Sequence, residues 1–591
     1  MESHNENFEL LPKRNEKNRA LAFLKKLMLE FASKKRTEDV ENLQEVMRLL
    51  QEKRYGIVWE EHAEDVDVQM KTSIPIFAED RSKQLKSDSK SDDFNFLIEG
   101  DNLHTLHLMQ RTHWGKIDFI YIDPPYNTGS KSFKYNDEFV SSDDAYFHSK
   151  WLSFMNRRMK LAKNLLAPDG VLFISIDNNE YANLKLLMDE IMPSGYVTTI
   201  HVQMSATQGM KVGSAKNGSI VKNGEYILVY SRSGNKQIIK HPLTNRTDYD
   251  GHYNKYLKPA GRNTYTEEKL ADVLSAHDDI VNELKLLGLV ASNRKLSNSN
   301  ISAYYEKSKK ARNYINEHAD LVVRDHTSGN NIENPDQYKI GLVYKYNSKT
   351  RSYLIQKNKQ NKFSQKIQFA DKLGWSDDFK PKFGPLTIRG DWWKDFYLDM
   401  GNVSKEGGVK LDNGKKPLRL IKQLIKATTT DNALIFDFFA GSGTTGHAVN
   451  ELNAESETSN RHFIMATSDE VVDTAYKRME NISKTNGINL KYLKTQFIPA
   501  NSTNLEFELL KNIKTMVELE YRIDQDNPSI AFVFRREDFK CLNLTILKTI
   551  YVRTRVHDLM SNDELLNIQD NSITLVDIPD KYFANELRGT V

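Results

Sequence analysis

Apolar positions recur along the chain in two distinct rhythms. Near the N-terminus, Leu21, Leu24, Met28 and Phe31 repeat at helical spacing, as do Val40, Leu43, Met47 and Leu50. Residues 1–90 therefore read as helices, their stripes serving as a packing face or a dimer contact. The polar run KQLKSDSKSDD (83–93) reads as a linker. Short apolar runs then alternate with amphipathic stretches. NFLIEG (95–100), KIDFIYI (116–122), VLFISI (171–176), YVTTIHVQ (196–203) and YILVYS (226–231) predict strands. One helix is predicted from about Asn102 and another over 143–166, where Leu152, Met155, Met159, Ala162 and Leu166 share a face. A third covers 179–192, with Asp177 and Asn178 placed to cap it. Near-continuous apolar strands separated by helices predict a buried, mostly parallel sheet.

Between about 233 and 385 this rhythm lapses. Lys, Arg, Asn, Ser and Tyr interleave and apolar runs shorten, which marks an insert. The rhythm resumes with an amphipathic helix, KPLRLIKQLIKATTT (416–430), and a strand, ALIFDFF (433–439). A helix begins in TTGHAVNELN (444–453), the strand RHFIMAT (461–467) follows, and the segment after 500 is mixed.

Composition narrows the class. The 591 residues suffice for three to five domains, and 39% hydrophobic with 28% charged residues describes a globular chain. No apolar run is long enough to cross a membrane, and the polar start MESHNENFELLPKRNEKNR lacks a signal-peptide core, so a cytoplasmic location is expected. Cys541 is the single cysteine, which excludes an internal disulfide and a cysteine-based zinc cluster. The net charge of +3 neither requires nor excludes nucleic acid.

Two motifs carry chemistry. Asp123-Pro124-Pro125-Tyr126 directly follows the strand KIDFIYI, at the strand end where open α/β sheets bind ligands. Its two prolines fix φ and remove two N–H groups, so the turn is stiff. The Asp123 carboxylate and Pro124 carbonyl can then aim at one point while Tyr126 offers a flat stacking surface. Such a set suits an amino group on a planar ring. The second motif is Asp437-Phe438-Phe439-Ala440-Gly441-Ser442-Gly443-Thr444-Thr445-Gly446, between a strand and a helix. Gly441, Gly443 and Gly446 match G-x-G-x-x-G, which by itself admits NAD as readily as S-adenosylmethionine. No Gly-Lys-Ser/Thr follows, so this is not a phosphate-gripping loop.

Taken together, the two motifs resemble those of β-type amino-methyltransferases acting on DNA, in which the DPPY element precedes the glycine loop. More narrowly, the chain resembles the modification subunits of type III restriction–modification systems. LIEGDNLHTLHLM, KIDFIYIDPPYNTGS, PDGVLFISIDNNE and GNVSKEGGVKLDNGKKPLRLIK carry the likeness, which is strong over 93–232 and 386–495 and weakest in 233–385. It implies an α/β fold: a Rossmann-like methyltransferase sheet with circularly permuted motif order, an inserted target-recognition domain and helical or mixed terminal extensions. The expected division is a helical N-terminal region (1–92), a catalytic half (93–232), the target-recognition insert (233–385), a cofactor-binding half (386–500) and a C-terminal domain (501–591).

The resemblance also implies roles. Asp123, Pro124, Pro125 and Tyr126 would be catalytic. Asp437, Ala440, Gly441 and Gly443 would surround the methionine and ribose of S-adenosylmethionine, and Phe439, Ser442 and Thr444 would also bind the cofactor. Asp101 would lie beside its adenine, Lys416 and Pro417 would wall the pocket, and Asp469 would reach the ribose hydroxyls. Asp177 reads equally as a helix cap. No metal is implied. Expected partners are double-stranded DNA, a second copy of the chain and a separate restriction subunit, with no membrane. Lys307, Lys309, Lys310 and Arg312 could grip phosphates. Cytosine C5 methylation needs a cysteine nucleophile, and Cys541 lies far from both motifs. Asp at position 123, where the cytosine-N4 branch usually has Ser, favours adenine N6. A stand-alone methyltransferase, an inactive DNA-binding descendant and a nicotinamide oxidoreductase are the competing readings.

Overall fold

The computed structural model describes residues 16–578 and Tyr582, apart from residues 35, 52–58, 89–90, 130–133, 136–137, 142, 292, 328–331, 349–350 and 411–414. Two compact units result, Met1–Glu61 and His62–Val591. In the first, helices Glu16–Ser33 and Thr37–Gln51 pack on each other. Leu21, Leu24, Met28, Phe31, Val40, Leu43 and Met47 are half-buried there, while Phe23, Leu29 and Val46 stay exposed. The side chain of Leu50 lies outside the described residues.

The second unit is organised by one sheet of eleven strands: β1 (Ser73–Glu79), β2 (Leu85–Lys86), β3 (Asn95–Glu99), β4 (Ile117–Ile122), β5 (Leu166–Ile176), β6 (Tyr196–Gln203), β7 (Gly224–Ser231), β8 (Trp392–Trp393), β9 (Leu434–Asp437), β10 (His462–Thr467) and β11 (Asn489–Pro499). Their order is β1-β11-β3-β10-β9-β4-β5-β7-β6-β8, with β2 also pairing β11. The run from β11 to β5 is parallel, whereas β7 is antiparallel to both β5 and β6. Helices Leu418–Thr428, Thr444–Glu455 and Val472–Asn486 pack through Leu420, Leu424, Val449 and Met479 against Leu97, Phe119, Phe173 and Phe463. Alternate strand residues such as Ile98, Ile120 and Ile174 are fully buried as well, so both faces are covered, which is why these strands read as continuous apolar runs. From the adjacent pair β9 and β4 the chain progresses outward in opposite directions, to β10 and to β5. That pair is the switch point where such sheets open a ligand crevice.

The helical reading of 1–90 gives way at Ser73. β1 forms the sheet edge, antiparallel to β11, with Ile74, Ile76 and Phe77 buried. Pro75 fits because an edge strand has no partner on its outer side. The polar stretch 83–93 contains β2, so it is partly sheet rather than pure linker. β11 was hidden by charge. Lys491, its third residue, is buried and paired with Glu79 Oε1 at 2.8 Å and Glu518 Oε1 at 2.7 Å.

The chain leaves the sheet after Ser231 and returns at Trp392. In between, Thr244–Arg246, Phe383–Ile388 and Leu373–Trp375 make a small antiparallel sheet. Beyond it is a closed six-stranded barrel, in ring order Lys255–Gly261, Thr264–Lys269, Val343–Asn347, Ser352–Lys357, Phe363–Gln368 and Val322–Thr327. Leu257, Val323, Val343 and Leu354 cluster as its core, and a separate core of Tyr249, Tyr305, Ile315 and Phe369 ties in the neighbouring helices. After β11, helix Leu505–Tyr521 leads to a small parallel sheet of Ile530–Val533, Thr549–Arg553 and Thr574–Ile578 with its own apolar core.

Candidate active site

Ile435 pairs with Phe119 and Phe436 with Ile120. Asp437, ending β9, and Asp123, just past β4, therefore emerge side by side at the carboxyl edge of the sheet. The two motifs, far apart in sequence, become one site through that pairing.

The turn after β4 is held from both ends. Trp151 Nε1 donates to the Pro125 carbonyl at 2.7 Å. Asn127 adopts a left-handed φ of 53°, and its amide donates to the fully buried carboxylate of Glu180 at 2.5 Å. Glu180 also accepts from Asn183 at 2.7 Å and lies 2.6 Å from His148 Nδ1. Proline stiffness on one side and this acid on the other fix where Asp123 and Tyr126 point.

Four side chains converge there. The Tyr126 hydroxyl is 2.8 Å from Asp123 Oδ1 and 3.2 Å from Glu225 Oε2. Lys416 Nζ donates to the Tyr126 hydroxyl at 2.7 Å and to Glu225 Oε2 at 2.8 Å, and lies 3.3 Å from Asp123 Oδ1. Burial raises the pKa of Asp123, and the carboxylate of Glu225 adds to the rise, against the pull of Lys416. Burial also acts upward on Glu225, but the Lys416 ammonium overcomes it and leaves that carboxyl below its ordinary value. Lys416 itself is raised by its two carboxylates. Lys416, expected in the cofactor wall, sets its ammonium on the Asp123–Tyr126–Glu225 triangle. Pro417 is buried just before helix Leu418–Thr428.

The glycine loop is a built cradle. Asp437 accepts from the Phe439 N–H at 3.0 Å and from the Thr445 hydroxyl at 2.5 Å. Burial pushes its carboxyl up to about 7. The Ala440 N–H donates to the Ala466 carbonyl at the end of β10, 3.1 Å away. Gly441 and Gly443 have φ of 48° and 77°, conformations that favour glycine. A Cβ on Gly441 would meet only the Phe439 carbonyl, at 3.9 Å, so this face is open to a ligand, whereas one on Gly446 would press Met465 at 2.8 Å. The third glycine thus serves helix–strand packing, while the first leaves an open face. Behind the loop lies the fully buried Arg478, which donates to Ser442 at 3.2 Å and to Thr444 at 2.8 Å. His447, driven down to about 3 by burial and Arg478, stays neutral and accepts from Arg478 Nε at 3.2 Å.

The remaining predicted residues are less central. Asp101 caps helix Asn102–His113 by accepting from the Leu103 N–H at 2.7 Å, and the adjacent Asn102 donates to the Phe438 carbonyl, which brings this turn against the glycine loop. Asp469 is exposed in the turn after β10. Asp177 is buried, accepts from the Asn179 N–H at 2.8 Å and pairs with Lys222 at 2.7 Å, so it closes the turn before helix Tyr181–Ile191 rather than capping the helix, whose N-cap is Glu180. Of the basic residues in the insert, Arg312 is committed to the Tyr305 and Glu306 carbonyls and Lys310 lies 3.4 Å from Asp279, while Lys307 and Lys309 are exposed. Glu180, Glu225 and Arg478 were not anticipated, because a charged residue in a strand or helix reads as solvent-facing. The one available signal was Glu225 opening an otherwise apolar strand.

An open sheet with both turns at its switch point defines a ligand-binding α/β enzyme class. A family model described as DNA methylase matches residues 117–477, more than half of the chain, and the chain belongs to that family. It is 27% identical over 530 residues, 83% of the chain, to a "probable type III restriction-modification enzyme HindVI Mod subunit" of Haemophilus influenzae. To the type III restriction-modification enzyme StyLTI Mod subunit of Salmonella typhimurium it is 30% identical over 443 residues, 71% of the chain. The chain spans 65% and 58% of the length of these two relatives. It is also 29% identical over 411 residues, 67% of the chain, to the type II methyltransferase M.KpnI of Klebsiella pneumoniae, of which it spans 87%.

Proposed function

We propose that this protein methylates the exocyclic N6 of adenine in DNA, using S-adenosylmethionine, as the modification subunit of a type III restriction–modification system. The observation that carries the reading is the juxtaposition of the Asp123–Tyr126 turn with the Asp437 glycine loop on adjacent strands. S-adenosylmethionine supplies an electrophilic methyl group when bound. Gly441 leaves room for its approach, and Asp437 with the Ser442 and Thr444 region would hold its methionine and ribose part. Asp101 and Asn102 close the neighbouring side, and Asp469 remains a candidate for the ribose.

Adenine N6 is a poor nucleophile because its lone pair is delocalised into the ring. Asp123 and the Pro124 carbonyl accept its N–H bonds and favour a nitrogen with an available lone pair, so this chain contributes mainly positioning and electrostatics. Tyr126 stacks on the base, which must leave the duplex to be reached, at a cost of a few kcal/mol. The Asp123 carboxylate, its proton affinity raised by burial, takes up the proton that the amino group sheds. The barrel insert would read the target sequence. A second copy, and a restriction subunit docked on the terminal segments, would complete the system in the bacterial cytoplasm.

Transfer of label from S-adenosylmethionine to unmethylated bacterial DNA, followed by digestion to nucleosides, tests the reading. Label in N6-methyldeoxyadenosine is expected. Label in N4-methyldeoxycytidine would reassign the base. A stand-alone methyltransferase is a second reading, supported by the 87% coverage of M.KpnI. Co-purification of a large helicase-like chain from the native host separates the two.

A further inference from the structure

We propose that Glu225 is a positioning residue that gives the Tyr126 hydroxyl a second place to donate, and so frees Asp123 Oδ1 for the target amino group. The inference rests on the amino-transfer reading above. β7 runs antiparallel to its neighbours, and for that reason its first residues lie at the edge where β4 and β9 end. Glu225 is thereby delivered to the site by a strand that carries neither motif.

The Tyr126 hydroxyl has one hydrogen and two carboxylate oxygens within reach, Asp123 Oδ1 at 2.8 Å and Glu225 Oε2 at 3.2 Å. With the hydrogen on the nearer oxygen, and with the Lys416 ammonium 3.3 Å away, Asp123 Oδ1 already faces two donors. A carboxylate oxygen has about two lone-pair sites, so Oδ1 is filled before a base arrives and only Oδ2 is left to accept. Rotation about the Cζ–Oη bond carries the hydrogen to Glu225 and opens one site on Asp123. No covalent bond changes and no proton leaves the tyrosine. Lys416 Nζ, 2.7 Å from the hydroxyl oxygen and 2.8 Å from Glu225, holds both in place through the rotation. The charged groups facing Asp123 are Lys416, Glu225 and Asp437, with the Tyr121 hydroxyl beneath. Since Lys416 keeps Glu225 below its ordinary pKa, the second acceptor remains an anion under conditions in which Asp123 begins to take up a proton.

The test is single-turnover methyl transfer from labelled S-adenosylmethionine to genomic DNA of a methyltransferase-deficient bacterium. It compares the parent, Glu225→Ala, Tyr126→Phe and the double variant, with cofactor affinity measured for each by calorimetry. With Tyr126 present, Glu225→Ala removes the second acceptor and should slow transfer by about 10-fold or more; with Tyr126→Phe there is no hydrogen to relocate, and the same change should cost less than about 3-fold. Cofactor affinity should stay within about 2-fold in all four proteins. Equal fractional losses in both backgrounds overturn the switch and leave amino transfer standing. Loss of cofactor binding on Glu225→Ala also overturns it, since the role would then be structural. A parent chain that labels no amino base overturns the reading and the switch together.

Discussion

Asp123 and Asp437 leave neighbouring strands, and burial gives both a greater hold on protons than an exposed aspartate has. The consequences differ. In the proposed mechanism Asp123 accepts an N–H, so Asp123→Ala should lower transfer by about 10²–10⁴-fold while leaving cofactor affinity nearly unchanged; normal turnover in that variant would refute its role. Because Asp123 must be ionised and its pKa is raised, transfer should fall with decreasing pH earlier than an ordinary aspartate would dictate. Glu225→Gln removes a negative neighbour and should move that acid limb to lower pH. Asp437 affects stability. Its carboxyl sits at about 7 folded against an ordinary 3.8, so between those values the folded state holds the extra proton. Stability conferred by the neutral form is therefore complete below the lower value and is lost as pH rises through the higher one. Asp437→Asn should raise the melting temperature relative to the parent by an amount that grows from pH 4 to pH 8, up to roughly 4 kcal/mol in stability. A gain that does not change with pH would mean that Asp437 is already ionised.

At the scale of elements, the site depends on contacts between segments that carry no motif. Arg478, from helix Val472–Asn486, reaches Ser442 and Thr444 on the glycine loop while lying against Gly407. Gly407 has φ of 68°, and a Cβ there would fall 2.5 Å from Arg478 Cγ. Gly407→Ala should cost roughly 1–3 kcal/mol in chemical denaturation, from backbone strain and overpacking. The same change should weaken cofactor binding, because Arg478 must move off the loop hydroxyls. Unchanged affinity in a destabilised variant would show that the guanidinium supports the fold but not the loop. The turn after β4 is likewise set by Glu180, which holds Asn127 in its left-handed conformation.

Across the whole molecule, the sheet presents the chemistry and the barrel insert departs from the same sheet, between β7 and β8. The formal charge of +3 is too small to identify a nucleic-acid face, so individual lysines decide. Lys307→Ala with Lys309→Ala should lower the salt dependence of DNA binding by up to about two counterions, whereas Lys310→Ala with Arg312→Ala, already paired within the insert, should change it less. Equal effects of both pairs would place the DNA elsewhere. The sequence by itself determined the strands β3 to β7, β9 and β10, the helices Asn102–His113, Phe147–Leu165, Tyr181–Ile191, Leu418–Thr428 and Thr444–Glu455, and the two turns, because periodicity, proline and glycine act within a few residues. It left β1 and β11 unseen, since Pro75 is tolerated only at an edge and Lys491 only beside Glu79 and Glu518. Tertiary structure alone set the Lys416 ammonium against Asp123 and Tyr126 and brought Glu225, Glu180 and Arg478 to the two turns. A buried charge is stable only with its partners, and those partners come from strands and helices that sequence proximity does not bring together.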